Sequence, residues 1–172
     1  SSGVVGDRYC PRAVTTSSTE VAAQRYLEVL AGPSARLRPD QIAAIRIAVD
    51  ARQRALVVQR TGFGKSAIYF IATKLLRDAG AGPTLLVSPL LALMRDQVAA
   101  AARMGVRAVT INSTNVDDWA EIETLVATDE VALLCISPER LNNPYFVRRV
   151  LPKLAGQLGL LVIDEAHCIS DW

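Results

Sequence analysis

The feature that most constrains this chain is an apolar run that breaks into a glycine-rich turn and ends in Lys-Ser. The run Leu56–Val58 is typical of a strand buried on both faces, and the turn after it reads Thr61-Gly62-Phe63-Gly64-Lys65-Ser66. Glycines let such a turn point its backbone N–H groups into a concave nest, and the next helix adds its positive end. The stretch therefore predicts a phosphate-binding loop. The alternative is an ordinary glycine turn before an amphipathic helix.

The last two residues of this loop suit a nucleoside triphosphate bound with magnesium. Lys65 is placed to reach the β- and γ-phosphates, and the hydroxyl of Ser66 can bind Mg²⁺. Residues 61–64 would surround the phosphates with backbone. The strict P-loop pattern has Gly where this chain has Gln59, so the match covers only the last part of that pattern.

The composition is that of a single folded domain. The chain has 172 residues, 51% of them hydrophobic, which is enough for one sizeable core. A net charge of +2 does not by itself indicate nucleic-acid binding. Cys10, Cys135 and Cys168 form no Cys-x-x-Cys pair, so neither a disulfide framework nor a zinc site is indicated, and Cys135 is expected to be a small buried hydrophobe. With no basic-then-apolar leader and no long apolar run, we expect a cytoplasmic protein without a membrane partner.

Short apolar runs and helical patterns alternate along the chain. Residues 1–18 show no periodicity and are predicted to be a flexible lead, whereas residues 19–172 are predicted to form the domain. Strands are predicted at 55–58, 84–87, 106–111, 131–136 and 158–163, and helices at 19–30, 39–49, 68–76, 91–104, 117–127 and 145–154. This alternation predicts an α/β fold, in which a parallel β-sheet is flanked by helices on both faces.

Two adjacent carboxylates follow the last predicted strand. Asp164 and Glu165 come directly after Leu160–Ile163, at the sheet edge where ligands of such folds bind. Asp164 can hold Mg²⁺ through its water shell, and Glu165 can polarise the water that attacks a γ-phosphate. An Asp-Glu pair alone is often a solvated loop. Together with the glycine loop in one sheet, it predicts a hydrolase that uses ATP and Mg²⁺.

Six segments in order resemble the successive motifs of RecQ-type superfamily 2 DNA helicases: 37–41, 59–66, 87–97, 112–114, 136–141 and 164–172. The final segment, Asp-Glu-Ala-His-Cys-Ile-Ser-Asp-Trp, is far more specific than the Asp-Glu-x-His that the superfamily shares. The resemblance implies the first RecA-like lobe of an ATP-dependent 3′-to-5′ DNA helicase. Such a lobe couples Mg-ATP hydrolysis to translocation on single-stranded DNA.

The resemblance also implies roles around the nucleotide. Gln41 would hydrogen-bond the adenine edge, and Arg38 would lie against the base or the neighbouring phosphates. His167 would sense the γ-phosphate, and it completes a catalytic set with Lys65 and the two carboxylates. Two simpler interpretations stay open: Gln41 as a solvent-facing residue in the first turn of a helix, and His167 as a residue that only satisfies its own loop.

A path for single-stranded DNA is implied along the same sheet edge. Hydroxyl groups, backbone N–H groups and arginines at strand ends suit phosphates, although a lone Arg or Ser there is more often a cap or a solvated side chain. Trp172 would open an aromatic-rich loop that couples DNA contact to hydrolysis. The implied residues are Ser88, Pro89, Arg95, Gln97, Ser113, Thr114, Ser137, Glu139, Arg140 and Trp172.

The expected partners are single-stranded or forked DNA and a second RecA-like lobe. Because the chain holds one lobe, it is expected to be either a fragment of a longer protein or a truncated gene product. In the second case it could be a non-catalytic nucleotide- or partner-binding remnant. An RNA helicase lobe is a further alternative, since phosphate contacts carry little information about the sugar.

Overall fold

The computed structural model describes residues 3–5, 18–58, 64–89, 95–111 and 115–166. Its strands are β1 (Gly3–Val5), β2 (Leu56–Val58), β3 (Thr84–Val87), β4 (Ala108–Ile111), β5 (Leu133–Ile136) and β6 (Leu160–Ile163). Its α-helices are α1 (Ser18–Ala31), α2 (Pro39–Val49), α3 (Lys65–Asp78), α4 (Arg95–Ala102), α5 (Trp119–Ala127) and α6 (Leu151–Ala155). Short 3₁₀ turns span Val116–Asp118 and Pro138–Asn142, and a π-helical turn spans Phe146–Val150.

Four strands form the parallel sheet, in the order β4-β5-β3-β6. Val87 is in register with Ile136 on one side and with Ile163 on the other, and Ile136 is in register with Ile111. All four strands therefore end at the same level. The two central strands, β3 and β5, are buried at every residue, as expected for parallel strands covered on both faces. The prediction of a parallel sheet is confirmed.

Helices cover both faces of this sheet. Leu85 and Val87 point to one face and pack in a core with α5 and the 146–154 segment, whereas Leu86 points to the other face and packs with Phe70 of α3. This alternation follows from the period of two along a strand. Cys135 lies in the second core, where burial raises the pKa of its thiol to about 12, so it is the small buried hydrophobe that was expected.

β2 differs from the prediction that residues 55–58 join the parallel sheet. Leu56–Val58 instead pairs antiparallel with Gly3–Val5, so a strand lies within the predicted N-terminal lead. β2 does not pair with β6, and the two strands line the same open cavity of about 1210 Å³. Leu56 and Leu161 are about half exposed as a result. A short apolar run identifies a strand but does not specify its partner.

Smaller differences concern where elements begin and end. β4, β5 and β6 each begin two residues later than predicted, because residues such as Val106 and Val131 are buried without belonging to a strand. The helix predicted at 145–154 is a π-helical turn followed by α6. Among the described residues, no helix combines the length and apolar character that crossing a bilayer requires.

Candidate functional site

Lys65, near the end of the predicted phosphate loop, meets the two carboxylates that follow β6. Lys65 Nζ lies 3.0 Å from Glu165 Oε1 and 3.9 Å from Asp164 Oδ1, although 100 residues separate Lys65 from Glu165. The backbone places the carboxylates there, because the N–H of Asp164 donates to the carbonyl of Val87 at 2.9 Å and so extends the β3–β6 ladder. The structure thus brings together three of the four predicted catalytic residues.

The three charged side chains are only partly covered. The exposed fractions of the Lys65, Asp164 and Glu165 side chains are 24%, 17% and 14%. At such burial the lysine and the carboxylates stabilise one another more strongly than at an open surface, yet a ligand can still reach them. Glu165 has a φ of +51°, a conformation that non-glycine residues rarely adopt and that is often found at functional sites.

Gly64 begins α3 in a left-handed conformation, with a φ of +74°. The N-cap residue is Gly64 itself, which has no side chain to bond the first N–H groups of α3. A Cβ at Gly64 would lie 2.8 Å from Gln41 Nε2, so a larger residue would have to displace that amide as well as adopt a left-handed backbone. An uncapped helix N-terminus beside a lysine is a suitable place for a phosphate group.

Gln41 connects this loop to α2. The side chain is 3% exposed, so its interpretation as a solvent-facing residue is wrong. Its amide Nε2 donates to the carbonyl of Gly64 at 3.2 Å, and its Oε1 accepts from the backbone N–H of Arg38 at 3.0 Å. The second bond closes the first turn of α2. Arg38 itself forms an ion pair with Asp40, whose Oδ1 is 3.4 Å from Arg38 Nε.

Asp164 is held from both sides. Its Oδ1 accepts from the N–H of Glu165 at 3.0 Å, and the hydroxyl of Ser88 lies 3.4 Å from its Oδ2. Ser88 is fully buried and its backbone N–H donates to the carbonyl of Ile136. Ser66, the second residue of α3, is partly buried. The oxygens of Ser66 and Asp164 are of the kind that Mg²⁺ prefers.

Of the residues predicted to contact nucleic acid, those that the structure describes follow β3 and β5 or begin α4. Pro89 and Glu139 are exposed, as is Arg95 at the start of α4, while Ser137 and Arg140 are partly buried after β5. The other predicted site residues lie outside the described residues or are described by their backbone alone. They are Thr61, Gly62, Phe63, Ser113, Thr114, His167 and Trp172, together with the side chain of Gln97. The nucleic-acid roles therefore stay predictions.

One feature of this edge was missed from the sequence. The Cζ of Arg140 lies 5.4 Å from the centre of the Trp119 ring, and the Tyr145 ring lies 5.6 Å from the same indole. A single tryptophan at the start of a predicted helix gives no signal for such a contact, because the pairing depends on two loops that leave different strands.

Comparisons with known proteins show the family to which this chain belongs. A sequence model described as "DEAD/DEAH box helicase" matches residues 38–172. The chain is 41% identical to "ATP-dependent DNA helicase RecQ" of Bacillus subtilis over 139 residues, which are 80% of this chain and 22% of that protein. It is 35% identical to "Putative ATP-dependent DNA helicase Q1" of Caenorhabditis briggsae, with 80% of this chain and 22% of that protein covered.

The same region matches a mammalian protein. The chain is 30% identical to "ATP-dependent DNA helicase Q1" of Mus musculus, over 80% of this chain and 21% of that protein. The chain thus spans about a fifth of the length of the curated relatives it matches. The resemblance to RecQ-type helicases is confirmed, and the chain belongs to the DEAD/DEAH box helicase family.

Proposed function

We propose that this chain is the ATP-binding lobe of an ATP-dependent 3′-to-5′ DNA helicase, in which Mg-ATP hydrolysis drives movement along single-stranded DNA. The observation that carries the proposal is the meeting of Lys65, Asp164 and Glu165 beside the uncapped start of α3. A cation for phosphate, a carboxylate for magnesium and a carboxylate for water are the groups that phosphoryl transfer to water needs.

The ion pair of Lys65 suggests how the site changes when ATP binds. Lys65 Nζ now contacts Glu165, and a bound nucleotide would offer its β- and γ-phosphates to the same ammonium group. Glu165 would then lose its lysine partner and accept a hydrogen bond from the attacking water. Ser66 and Asp164 would hold Mg²⁺, which would neutralise charge on the phosphates. His167 is proposed to sense the γ-phosphate, as the family resemblance implies.

Gln41 would exchange partners in the same event. Its amide Nε2 donates to the carbonyl of Gly64, and contact with an adenine edge would require that bond to open. A side-chain amide carries both a donor and an acceptor, so it matches the donor and acceptor of adenine. We propose that Gln41 and Arg38 bind the base side of ATP and that base recognition is thereby linked to the end of the phosphate loop.

The DNA path is proposed along the ends of β3, β5 and α4. β5 lies two strand positions from β6, which places its carboxyl end roughly 10 Å from that of β6. Phosphates bound there would therefore lie close to the nucleotide. The relatives named above are DNA helicases several times longer than this chain. A second RecA-like lobe is the proposed partner that completes the ATP site and moves against this lobe.

The test is DNA-stimulated ATP hydrolysis in the full-length protein that carries this lobe. Lys65→Ala is expected to lower the rate by about 100-fold or more, because a preorganised cation at the phosphates is removed. Lys74→Ala is the matched control, since Lys74 lies in the same helix but pairs with Asp78. Stimulated hydrolysis that survives Lys65→Ala at the control's level would refute the proposal.

A further inference from the structure

Ser88 differs from the exposed residues that were predicted to contact nucleic acid. It is fully buried, whereas Pro89, Arg95 and Glu139 are exposed. Its backbone N–H is also engaged, since it donates to the carbonyl of Ile136 at 3.0 Å. A phosphate of a nucleic-acid strand could reach a hydroxyl enclosed in this way only if the end of β3 moved. The buried position therefore favours a role inside the lobe.

The hydroxyl of Ser88 faces the carboxylate that the proposed function assigns to Mg²⁺. Its Oγ lies 3.4 Å from Asp164 Oδ2, which makes a long hydrogen bond with the hydroxyl as the donor. The other carboxylate oxygen, Oδ1, accepts from the N–H of Glu165 at 3.0 Å and lies 3.9 Å from Lys65 Nζ. These contacts act on different oxygens of Asp164, so together they restrict the rotation of its carboxylate.

Two consecutive residues at the end of β3 thus hold Asp164. The carbonyl of Val87 accepts from the N–H of Asp164 at 2.9 Å, and the hydroxyl of Ser88 follows it in the chain. The first contact fixes the backbone of Asp164 relative to β3, and the second acts on the direction of its side chain. Hydrogen bonds at a catalytic site are often long without ligands and tighten when the site is filled.

We propose that Ser88 is a positioning residue that orients Asp164 for nucleotide-bound Mg²⁺ and does not contact nucleic acid. The proposal rests on the proposed function, in which Ser66 and Asp164 hold the ion, and the oxygens of both residues suit Mg²⁺. Groups that orient a metal ligand by a hydrogen bond commonly change metal affinity by about 10- to 100-fold when they are removed. With its long contact, Ser88 belongs at the lower end of that range.

The experiment titrates a fluorescent, non-hydrolysable ATP analogue into the 172-residue chain, once with excess Mg²⁺ and once with EDTA. The quantity compared is the ratio of the two affinities, which measures how strongly Mg²⁺ and nucleotide support each other's binding. Ser88→Ala is expected to lower this ratio by about tenfold, because Asp164 loses the group that orients it. The affinity in EDTA is expected to stay unchanged.

Thr84→Val is the matched control. Thr84 begins β3, is 1% exposed and accepts a hydrogen bond from Thr73, so the substitution removes a buried hydroxyl from the other end of the same strand. It is expected to lower stability and to leave the ratio of affinities unchanged. A loss that came only from general destabilisation would therefore appear in both variants.

Two further variants test whether Ser88 acts through Asp164. Ser88→Ala is expected to cause no further loss in a chain that already carries Asp164→Asn, because the carboxylate to be oriented is gone. Should Ser88→Ala not fold, Ser88→Cys provides the second test. It nearly keeps the size of the side chain but offers only a weak donor, and it is expected to lower the ratio as well.

Three results would overturn the inference. Ser88→Ala could leave the ratio at the level of Thr84→Val, or its loss could add to that of Asp164→Asn. Alternatively, Ser88→Ala could bind a labelled oligothymidylate more weakly than Thr84→Val does at the same salt concentration, which would assign Ser88 to nucleic acid. In each case Mg²⁺ still strengthens nucleotide binding by the unmutated chain, so the proposed function stands. An unmutated chain whose affinity does not respond to Mg²⁺ would instead overturn both the inference and the magnesium site of the proposed function.

Discussion

Gly64→Ala tests the link between the phosphate loop and α2. A left-handed φ costs a non-glycine residue about 1–2 kcal/mol, and Gly64 has a φ of +74°. The new Cβ would also lie 2.8 Å from Gln41 Nε2 and displace the amide from the Gly64 carbonyl. Losing that hydrogen bond adds about 1 kcal/mol, for a total of about 2–3 kcal/mol in the free energy of unfolding.

Gly80→Ala isolates the contribution of Gln41. Gly80 has a φ of +81°, close to that of Gly64, but a Cβ there meets nothing within 4 Å. Gly80→Ala therefore costs only the free energy of placing a non-glycine residue in the left-handed conformation. We expect Gly64→Ala to lower the thermal midpoint by about 2–4 °C more than Gly80→Ala does, the shift that about 1 kcal/mol produces in a chain of this size.

The assays are urea unfolding and thermal melting of both variants, followed by titration with a fluorescent ATP analogue. Gly64→Ala is expected to weaken nucleotide binding, whereas Gly80→Ala, at the far end of α3, is expected to leave it unchanged. Equal destabilisation by the two substitutions would refute the reasoning, because it would show that Gln41 does not constrain the loop. Adding Gln41→Ala to each variant should remove the difference between them.

Two further predictions concern stability. A hydrogen bond from Lys153, with a second from Tyr145, lowers the pKa of Glu123 from 4.5 to about 2. The stabilisation that the charged Glu123 contributes is therefore complete above about pH 4.5 and is lost as the pH falls toward 2. Glu123→Gln should flatten the pH dependence of the urea midpoint in this window, and an unchanged profile would contradict this prediction. Thr73 donates to the buried hydroxyl of Thr84 at 2.8 Å. Thr73→Val should lower the free energy of unfolding in urea by about 1–3 kcal/mol, and adding Thr84→Val should restore part of that loss. A double variant whose destabilisation equals the sum of the two single variants would contradict this prediction.

The sheet could be predicted because its strands are short apolar runs separated by helical patterns. Four of the five predicted strands form it, and the carboxylates that were singled out follow one of them, β6. The partner of β2 could not be predicted, because an apolar run such as Leu56–Val58 has the same pattern whichever strand it pairs with. Its side chains at Leu56 and Val58 are in fact more than half exposed.

The candidate site was predictable where a motif joins chemistry to position. Lys65, Asp164 and Glu165 each follow from a short pattern at a strand end, and the structure brings them into contact. Contacts between distant segments were not predictable. Gln41 reaches a glycine 23 residues away, and no local pattern encodes that bond.

Ser88 and Arg140 show the same limit. Ser88 was singled out for nucleic acid by the family resemblance, but its environment depends on the neighbouring strand that brings Asp164 beside it. The side chain of Arg140 is fixed by an indole that belongs to a different strand-helix connection. Such contacts come from tertiary packing, which places side chains that sequence spacing cannot relate.

The most direct test of the central claim compares ATP binding with ATP hydrolysis in Glu165→Gln of the full-length protein. The substitution keeps the size of the side chain and removes the charge that would polarise water. We predict that nucleotide affinity is retained or increased, since Lys65 loses its carboxylate partner at 3.0 Å, while DNA-stimulated hydrolysis falls by about 100-fold or more. Hydrolysis at the unmutated rate would contradict the account.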